Sequence, residues 1–198
     1  MGELTLTISI GNGKLGKVAN WSTPAGIACP GASEWCAKKC YAKKGFFLLQ
    51  KSRYGANLLA TQEPPWVDEM VVRIRKAVAK QPVKAFRIHV GGDMYSAEYI
   101  QKWIAVITQL PDIAFWGYTR SWTQPELING LEALRDLPNM QLFASWDDTM
   151  PPPPKGWRLA TISANGYACP EQTGRKADCA SCGYCFFGQK HNVAFKPH

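Results

Sequence analysis

Strand-like and helix-like stretches alternate along most of this 198-residue chain. The helical periodicity recurs in four stretches, at residues 46–60, 66–79, 97–110 and 124–137. Short apolar stretches typical of strands lie at residues 17–24, 85–90, 113–119, 141–146, 158–163 and 192–195. Because parallel neighbours need long crossover connections, this alternation predicts a mainly parallel sheet with right-handed crossovers.

The length of the chain limits how such a sheet can close. A complete eightfold barrel usually needs about 250 residues. We therefore expect an α/β fold that is a shortened or partial TIM-like (β/α) barrel of about six parallel strands, with a flat doubly wound sheet as the alternative. The cysteine-rich end predicts a division into a barrel at residues 1–166 and a C-terminal extension at residues 167–198 that packs on it.

Polar side chains alternate with apolar ones along the predicted strands. In residues 86–90, Arg87 and His89 alternate with three apolar residues. The same alternation recurs at Asn20, Ser22, Tyr118, Arg120, Gln141, Ser145 and Asp147. A parallel strand that is buried on both faces should be apolar throughout. We therefore expect the polar faces to converge on a lumen that binds a ligand, although satisfied polar groups on edge strands would give the same pattern.

Seven cysteines fall into two groups. An odd number argues against complete disulfide pairing, and in a reducing compartment metal ligation is the expected use. The first group, Cys29, Cys36 and Cys40, has one thiol fewer than a closed zinc site and so leaves a coordination position open.

The second group of cysteines follows the pattern of a bacterial ferredoxin. An overlapping Cys-x2-Cys-x2-Cys run is accompanied by a remote cysteine that precedes a proline. Its members are Cys169, Cys179, Cys182 and Cys185. Four thiols suit either a second [4Fe–4S] cluster or zinc, and both remain open.

The charge of the chain is compatible with anionic partners. Its 23 basic and 15 acidic residues give a net charge of +8, which suits nucleic acid or a small anionic substrate, although a solvated surface explains it equally well. The sequence contains no apolar run of about 18 residues and no charged-then-apolar leader. We therefore expect a cytoplasmic protein without a membrane partner.

Candidate functional residues follow the predicted strands, where parallel α/β proteins place their sites. In chain order they are the first cysteine group, Gly91-Gly92-Asp93, Thr119-Arg120 and Ser145-Trp146-Asp147-Asp148. This succession resembles the radical S-adenosylmethionine superfamily, in which a three-cysteine loop is followed by Gly-Gly-Glu-like, Thr-Asn-Gly-like and Ser-x-Asp-Gly-like strand ends. The Cys-x6-Cys-x3-Cys spacing differs from the usual Cys-x3-Cys-x2-Cys loop of that superfamily.

The chain is also similar to a small phage-encoded family called gene product eighty-eight. The shared segments are WCxxxCYA, GDMYS, SWDDTM and the final cysteine pattern, so that the resemblance extends from Cys29 to His198. It implies the fold and a setting in the host cytoplasm, and it implies no activity.

The radical-enzyme resemblance implies a role for each matching residue. Cys29, Cys36 and Cys40 would ligate a [4Fe–4S] cluster that chelates S-adenosylmethionine, and a flavodoxin- or ferredoxin-like donor would reduce it. Contacts with the cofactor are implied for Tyr41, Gly91, Gly92, Asp93, Ser145 and Asp147. Catalytic or substrate contacts are expected for Arg87, His89, Asp93, Tyr118, Arg120 and Asp147. The substrate class stays open between a small molecule, a nucleotide and a nucleic acid.

Two other hypotheses remain. The chain resembles the zinc-containing tRNA-guanine transglycosylases in its late cysteine group and in the stretch from His191 to Phe195. Asp147 would then be the nucleophile of a base exchange, and the first cysteine group would have no function. Alternatively, the protein is a non-catalytic nucleic-acid-binding module stabilised by two metal sites.

Overall fold

Eight strands form one sheet in the computed structural model, which describes residues 4–162, 166–187 and 191–197. Their order across the sheet is β1-β2-β3-β4-β5-β6-β8-β7. The strands are β1 Ser9–Asn12, β2 Gly16–Asn20, β3 Ala85–Ile88, β4 Ala114–Thr119, β5 Met140–Trp146, β6 Arg158–Thr161, β7 Tyr167–Ala168 and β8 Val193–Ala194. Only β1 pairs antiparallel with its neighbour. The predicted α/β class and mainly parallel sheet are thus confirmed, and the sheet is open.

Six α-helices lie within the described ranges: α1 Glu34–Lys39, α2 Lys51–Ala60, α3 Trp66–Val78, α4 Ala97–Thr108, α5 Pro125–Arg135 and α6 Cys179–Cys182. The helix predicted at residues 46–60 begins only at Lys51, because Gly45–Gln50 forms a 3₁₀ segment. The run Phe46 to Leu49 has no polar face, so it lacks the apolar stripe that defines an amphipathic helix. None of these helices is long and apolar enough to cross a membrane.

Helices α3, α4 and α5 cover one face of the sheet. Trp66, Met70, Ile74 and Val78 recur at every fourth position of α3 and are all buried. Together with the apolar stripe of α4 they form the main core with Phe86 of β3. Because β2 to β5 lie side by side in chain order, right-handed crossovers place all three helices on the same face. The opposite face of the sheet is therefore not covered by these three helices.

The C-terminal segment covers that opposite face. Trp116 of β4 packs on Phe186, with 4.7 Å between the ring centroids. Helix α6 is tied to the β1–β2 hairpin by the Cys179 amide, which donates to the Lys14 carbonyl at 2.9 Å. The same segment adds β7 and β8 to the sheet beside β6. The predicted boundary at residue 166 between the barrel and the C-terminal extension stays a prediction. Residue 163 of the predicted strand 158–163 and His198 lie outside the described residues.

Two strands were not predicted from the sequence, because they lack the alternation of apolar and polar residues that is typical of strands. β1 reads SIGN, and its turn into β2 depends on Asn12, whose side chain accepts hydrogen bonds from the amides of Lys14 and Leu15. β7 has only two residues, and both are exposed. The predicted strand at residues 17–24 is β2 continued by irregular pairing, since the Trp21 amide donates to the Arg87 carbonyl at 3.0 Å. The sheet therefore has two strands more than expected.

Candidate functional site

A cavity of about 920 Å³ opens at the carboxyl ends of the parallel strands. It is lined by the loop with the first cysteine group, by the ends of β3 to β6, and by β1 with its turn into β2. The predicted site residues that line this cavity are Cys29, Cys36, Cys40, Tyr41, Arg87, His89, Gly91, Gly92, Asp93, Tyr118, Arg120 and Ser145. Asp147 and the second cysteine group are not among the lining residues. The volume is that of a typical ligand site.

The loop that carries the first cysteine group is anchored on the ends of β4 and β5. Gly31 lies so close to β4 that a Cβ atom there would be 2.0 Å from the Arg120 carbonyl oxygen. Ser33 donates to Asp147 Oδ2 at 2.6 Å and accepts from Arg120 Nη1 at 3.1 Å. Ser33 also caps α1 by accepting from the Cys36 amide. Sequence reasoning missed both anchors, although a serine three residues before a helical amide is a recognisable capping signal.

The three thiols of the first group share one wall of the cavity. Burial raises the pKa of Cys29 to about 12, and the charges of Asp93, Cys36 and Cys40 add to this rise. Burial also raises the pKa of Cys36, against the opposing charge of Arg120. No set of three or more Cys, His, Asp or Glu among the described residues stands in a metal-binding arrangement. Without a bound cation, the thiols of Cys29 and Cys36 are therefore neutral at ordinary pH.

Gly91, Gly92 and Asp93 form the turn after β3. Gly92 has a φ of 83°, and a Cβ there would lie 1.9 Å from the hydroxyl of Thr23, so only glycine fits. The Asp93 carboxylate accepts from the amides of Met94 at 2.7 Å and Arg120 at 2.8 Å. Burial raises the pKa of Asp93 despite these hydrogen bonds. Asp93 thus connects the end of β3 to the end of β4.

Arg120 and Asp147 form an ion pair behind the cysteine loop. Their atoms Nη1 and Oδ2 are 2.5 Å apart, and the side chains are only 10% and 1% exposed. The other carboxylate oxygen accepts from the amide and hydroxyl of Thr149. Burial opposes ionisation of Asp147, but hydrogen bonds from Ser33 and Thr149 and the Arg120 charge hold its pKa below the usual value. Both oxygens are therefore engaged within the protein.

Arg87 and Tyr118 separate the cavity from the second cysteine group. The guanidinium of Arg87 lies 4.9 Å from the centre of the Tyr118 ring. Arg87 is 8% exposed, and its Nε has no hydrogen-bond partner among the described residues. The Tyr118 hydroxyl donates to Cys185 Sγ at 3.1 Å. Arg87 and Tyr118 therefore border the cavity on one side, and Tyr118 contacts the thiol of Cys185 on the other.

Three members of the second cysteine group lie within electrostatic reach of one another. Burial raises the pKa of Cys179 to about 12 and that of Cys185 to about 11, and the charge of Cys169 contributes to both increases. The Arg87 charge opposes each increase. Cys182 lies at the other end of α6, three residues from Cys179 and so on the same side of the helix.

His89 points towards the helices, although it also lines the cavity. Its backbone has a φ of 56°, which turns the side chain away from the alternation of β3. Nε2 lies 2.9 Å from the hydroxyl of Tyr99 in α4, and that hydroxyl also accepts from Trp21 Nε1 at 2.9 Å. Burial, with a contribution from the Arg87 charge, lowers the pKa of His89 to about 3.

The buried neutral His89 predicts that acid destabilises the fold. Between about pH 6.5 and pH 3 the unfolded chain binds a proton at this residue and the folded chain does not. The free energy of unfolding should therefore fall as the pH is lowered, by up to about 1.4 kcal/mol per pH unit from this group. Urea unfolding at pH 7, 6 and 5 should show a shallower pH dependence for His89→Gln than for the unmodified protein. His191→Gln, at an exposed position, is the control, and equal slopes for all three proteins would contradict the prediction.

Together, these features define an α/β protein with an open, mostly parallel sheet and a ligand-sized cavity lined by thiols and buried ionisable groups. The chain belongs to the family described as Gene product 88, which matches residues 5–161. It is 30% identical to the Gene 88 protein of Mycobacterium phage D29, over 91% of this chain and 88% of that protein. It is also 30% identical to the Gene 88 protein of Mycobacterium phage L5, over 93% of this chain and 89% of that protein. No solved structure shows a significant match.

The family match confirms the predicted resemblance to the phage proteins. The matched residues 5–161 include the first cysteine group and the ends of β3 to β5, but not the second cysteine group. The relation to radical S-adenosylmethionine enzymes stays a prediction.

Proposed function

We propose that the protein is an iron–sulfur enzyme of the radical S-adenosylmethionine type, built on a partial (β/α) barrel. One observation carries the proposal: the first cysteine group faces the same cavity as Gly91 to Asp93, Arg120 and Ser145. These are the strand ends in the chain order that the superfamily resemblance implies. The sequential strand order, with α3 to α5 on one face, supports the partial barrel.

The chemistry of the donor set fits an iron–sulfur cluster. Three thiols that line the same cavity suit a soft metal centre that leaves one iron position open. The thiols are not yet in a metal-binding arrangement, so we expect Cys29, Cys36 and Cys40 to converge when they bind. The bound cluster and S-adenosylmethionine would supply one-electron cleavage of the cofactor to a radical that abstracts a substrate hydrogen.

The residues of the protein would position these groups and exclude water. The Gly91–Gly92 backbone lines the space in which the cofactor would bind, and Tyr41 and Ser145 line the same space. Arg87 and Tyr118 line the cavity and are the candidates for substrate contacts, whereas the His89 ring is turned to Tyr99 and would act only by shaping the cavity. Arg120, Asp147 and Ser33 would hold the cysteine loop over the strand ends.

The second cysteine group would form another metal site. We propose that Cys169, Cys179, Cys182 and Cys185 hold a [4Fe–4S] cluster or zinc that secures the C-terminal segment, or that relays electrons from a flavodoxin- or ferredoxin-like donor. A reducing host cytoplasm is the setting that this chemistry needs. The alternative role of Asp147 as the nucleophile of a base exchange is less well supported, because both of its oxygens are hydrogen-bonded within the protein.

Metal content and cofactor response test the proposal. Protein purified without oxygen should contain iron and sulfide and absorb visible light, and S-adenosylmethionine should change the paramagnetic signal of the reduced cluster. Cys36→Ala should abolish that change and lower the iron content, while the metal of the second group remains. Cys182→Ala is the matched control, because it should alter the second site and leave the S-adenosylmethionine response in place.

Two outcomes would contradict the proposal. A colourless protein that holds only zinc would exclude the cluster chemistry. If Cys36→Ala had no effect and Asp147→Ala removed base-exchange activity, the transglycosylase-like hypothesis would replace it.

A further inference from the structure

Residues 35–62 contain six cationic residues and no acidic residue. The cations are Lys38, Lys39, Lys43, Lys44, Lys51 and Arg53, and all six are exposed. Within the part of the chain that the structure describes, only Lys38 takes part in an ion pair, with Glu34. This concentration of unneutralised positive charge is a local feature that the overall net charge of +8 does not reveal.

The same segment exposes large apolar side chains. Phe46 is 71% exposed and Leu49 is 75% exposed, and Leu48 between them is also exposed. We call the six cations together with Phe46, Leu48 and Leu49 the rim. Clustered exposed apolar groups on a protein surface are typical of a binding surface.

The rim is continuous with the cavity. Lys39, Phe46 and Arg53 belong both to the rim and to the lining of the cavity. Deeper in the cavity lies Arg87, whose buried Nε lacks a hydrogen-bond partner among the described residues. An anionic ligand could therefore contact cations both at the surface and inside the cavity.

We propose that the rim binds a single-stranded nucleic acid and that one of its nucleotides enters the cavity. Lysines meet phosphates, and Phe46 offers a face on which an unpaired base can stack. A flat membrane surface or the face of an acidic protein could use the charges but could not enter the cavity, whereas an unstacked nucleotide can. The inference deepens the proposed function by naming its substrate class. The binding step itself needs neither metal nor S-adenosylmethionine, so that the two proposals can fail separately.

Binding of a fluorescein-labelled 12-nucleotide RNA, followed by anisotropy between 50 and 200 mM salt, tests the charges. Lys43→Gln/Lys44→Gln should weaken binding about 10-fold and reduce the slope of log affinity against log salt by about 1.4, as expected for two lost phosphate contacts. Lys76→Gln/Lys80→Gln is the matched control, because it removes the same charge from exposed positions. These positions lie at and just after the C-terminal end of α3, near the start of β3. The rim, in contrast, adjoins the cavity at the carboxyl ends of the strands. The control should bind within about 2-fold of the unmodified protein.

The role of Phe46 is tested by comparing the affinity of the protein for single-stranded RNA with its affinity for a duplex. Phe46→Ser should weaken RNA binding at least about 5-fold, the loss expected for one stacked base. Val72→Ser is the control, since Val72 is 62% exposed on α3. The unmodified protein should bind a 12-base-pair duplex more weakly than the single strand, and Phe46→Ser should lose this difference.

Three results would overturn the inference. They are equal weakening of RNA binding by the two double lysine substitutions, binding of the duplex as tight as that of the single strand, and competition by poly-glutamate as strong as that by unlabelled single-stranded RNA. Tighter binding of phosphatidylserine vesicles than of RNA, with the same dependence on Lys43 and Lys44, would assign the rim to a membrane instead. RNA binding by the unmodified protein without added S-adenosylmethionine separates the two proposals. Normal RNA binding by protein that shows no S-adenosylmethionine response would bear on the enzyme and not on the rim.

Discussion

Arg120→Met is expected to lower the free energy of unfolding by about 3–5 kcal/mol, the cost of leaving a buried charge without its partner. Asp147 is 1% exposed and would keep its hydrogen bonds from Ser33 and Thr149 but lose the guanidinium 2.5 Å away. Because its pKa is held below the usual range, the carboxylate is ionised at pH 7. This stabilisation is present above about pH 4, the ordinary pKa of the unfolded group, and is lost as the pH falls through the folded value. Urea unfolding at pH 7 measures the effect.

A double-mutant cycle separates the ion pair from general packing. Asp147→Asn in the Arg120→Met background removes the unpaired charge, so the double variant should be more stable than Arg120→Met alone. Lys84→Met is the matched control for an exposed pair, since Lys84 and Asp112 are 70% and 48% exposed, and it should cost less than about 1 kcal/mol. Strictly additive effects of the two substitutions would show that Arg120 and Asp147 are not coupled.

Gly31→Ala is expected to lower the free energy of unfolding by about 3 kcal/mol and to displace the loop of the first cysteine group. The added methyl would meet the backbone of Arg120 at 2.0 Å, and backbone cannot move aside as a flexible side chain can. Because the loop carries Cys29, Cys36 and Cys40, the variant should also lose iron from the first site and keep the metal of the second. Thermal unfolding and metal analysis measure the two effects.

The control for Gly31 is a glycine with free space around it. Gly55 lies within α2, and a Cβ there would meet nothing within 4 Å. Gly55→Ala should stabilise the protein by up to about 1 kcal/mol, because alanine restricts the unfolded chain and favours the helix. A Gly31→Ala variant as stable as the unmodified protein would show that the cysteine loop does not depend on this close contact.

The amino-acid pattern was sufficient for the longer helices α2 to α5, for β2 to β6 and β8, and for much of the cavity lining. Amphipathic stripes such as that of α3 repeat with the period of the helix, and β3 to β5 are apolar segments between turn residues, so their positions are visible without tertiary information. The carboxyl ends of parallel strands meet at one edge, which is why Asp93, Arg120 and Ser145 could be predicted to share a site.

The direction of individual side chains depended on tertiary structure. His89 follows the alternation of β3 in the sequence, yet its positive φ turns the ring to Tyr99. Asp147 was predicted to face the cofactor, but the structure engages its carboxylate with Arg120, Ser33 and Thr149. Neither arrangement has a periodic signal, because each depends on which donors the folded chain brings within hydrogen-bond distance.

The sequence by itself determined the order of α2 to α5 and of β2 to β6, the mainly parallel sheet and the grouping of the cysteines. Only the tertiary structure decided that the C-terminal segment covers one face of the sheet and that the cysteine loop is anchored on β4 and β5. Ser33 and Asp147 are 114 residues apart in the chain. Backbone geometry imposes helical and strand periods locally, whereas contacts between such distant residues arise only when the helices and strands pack together.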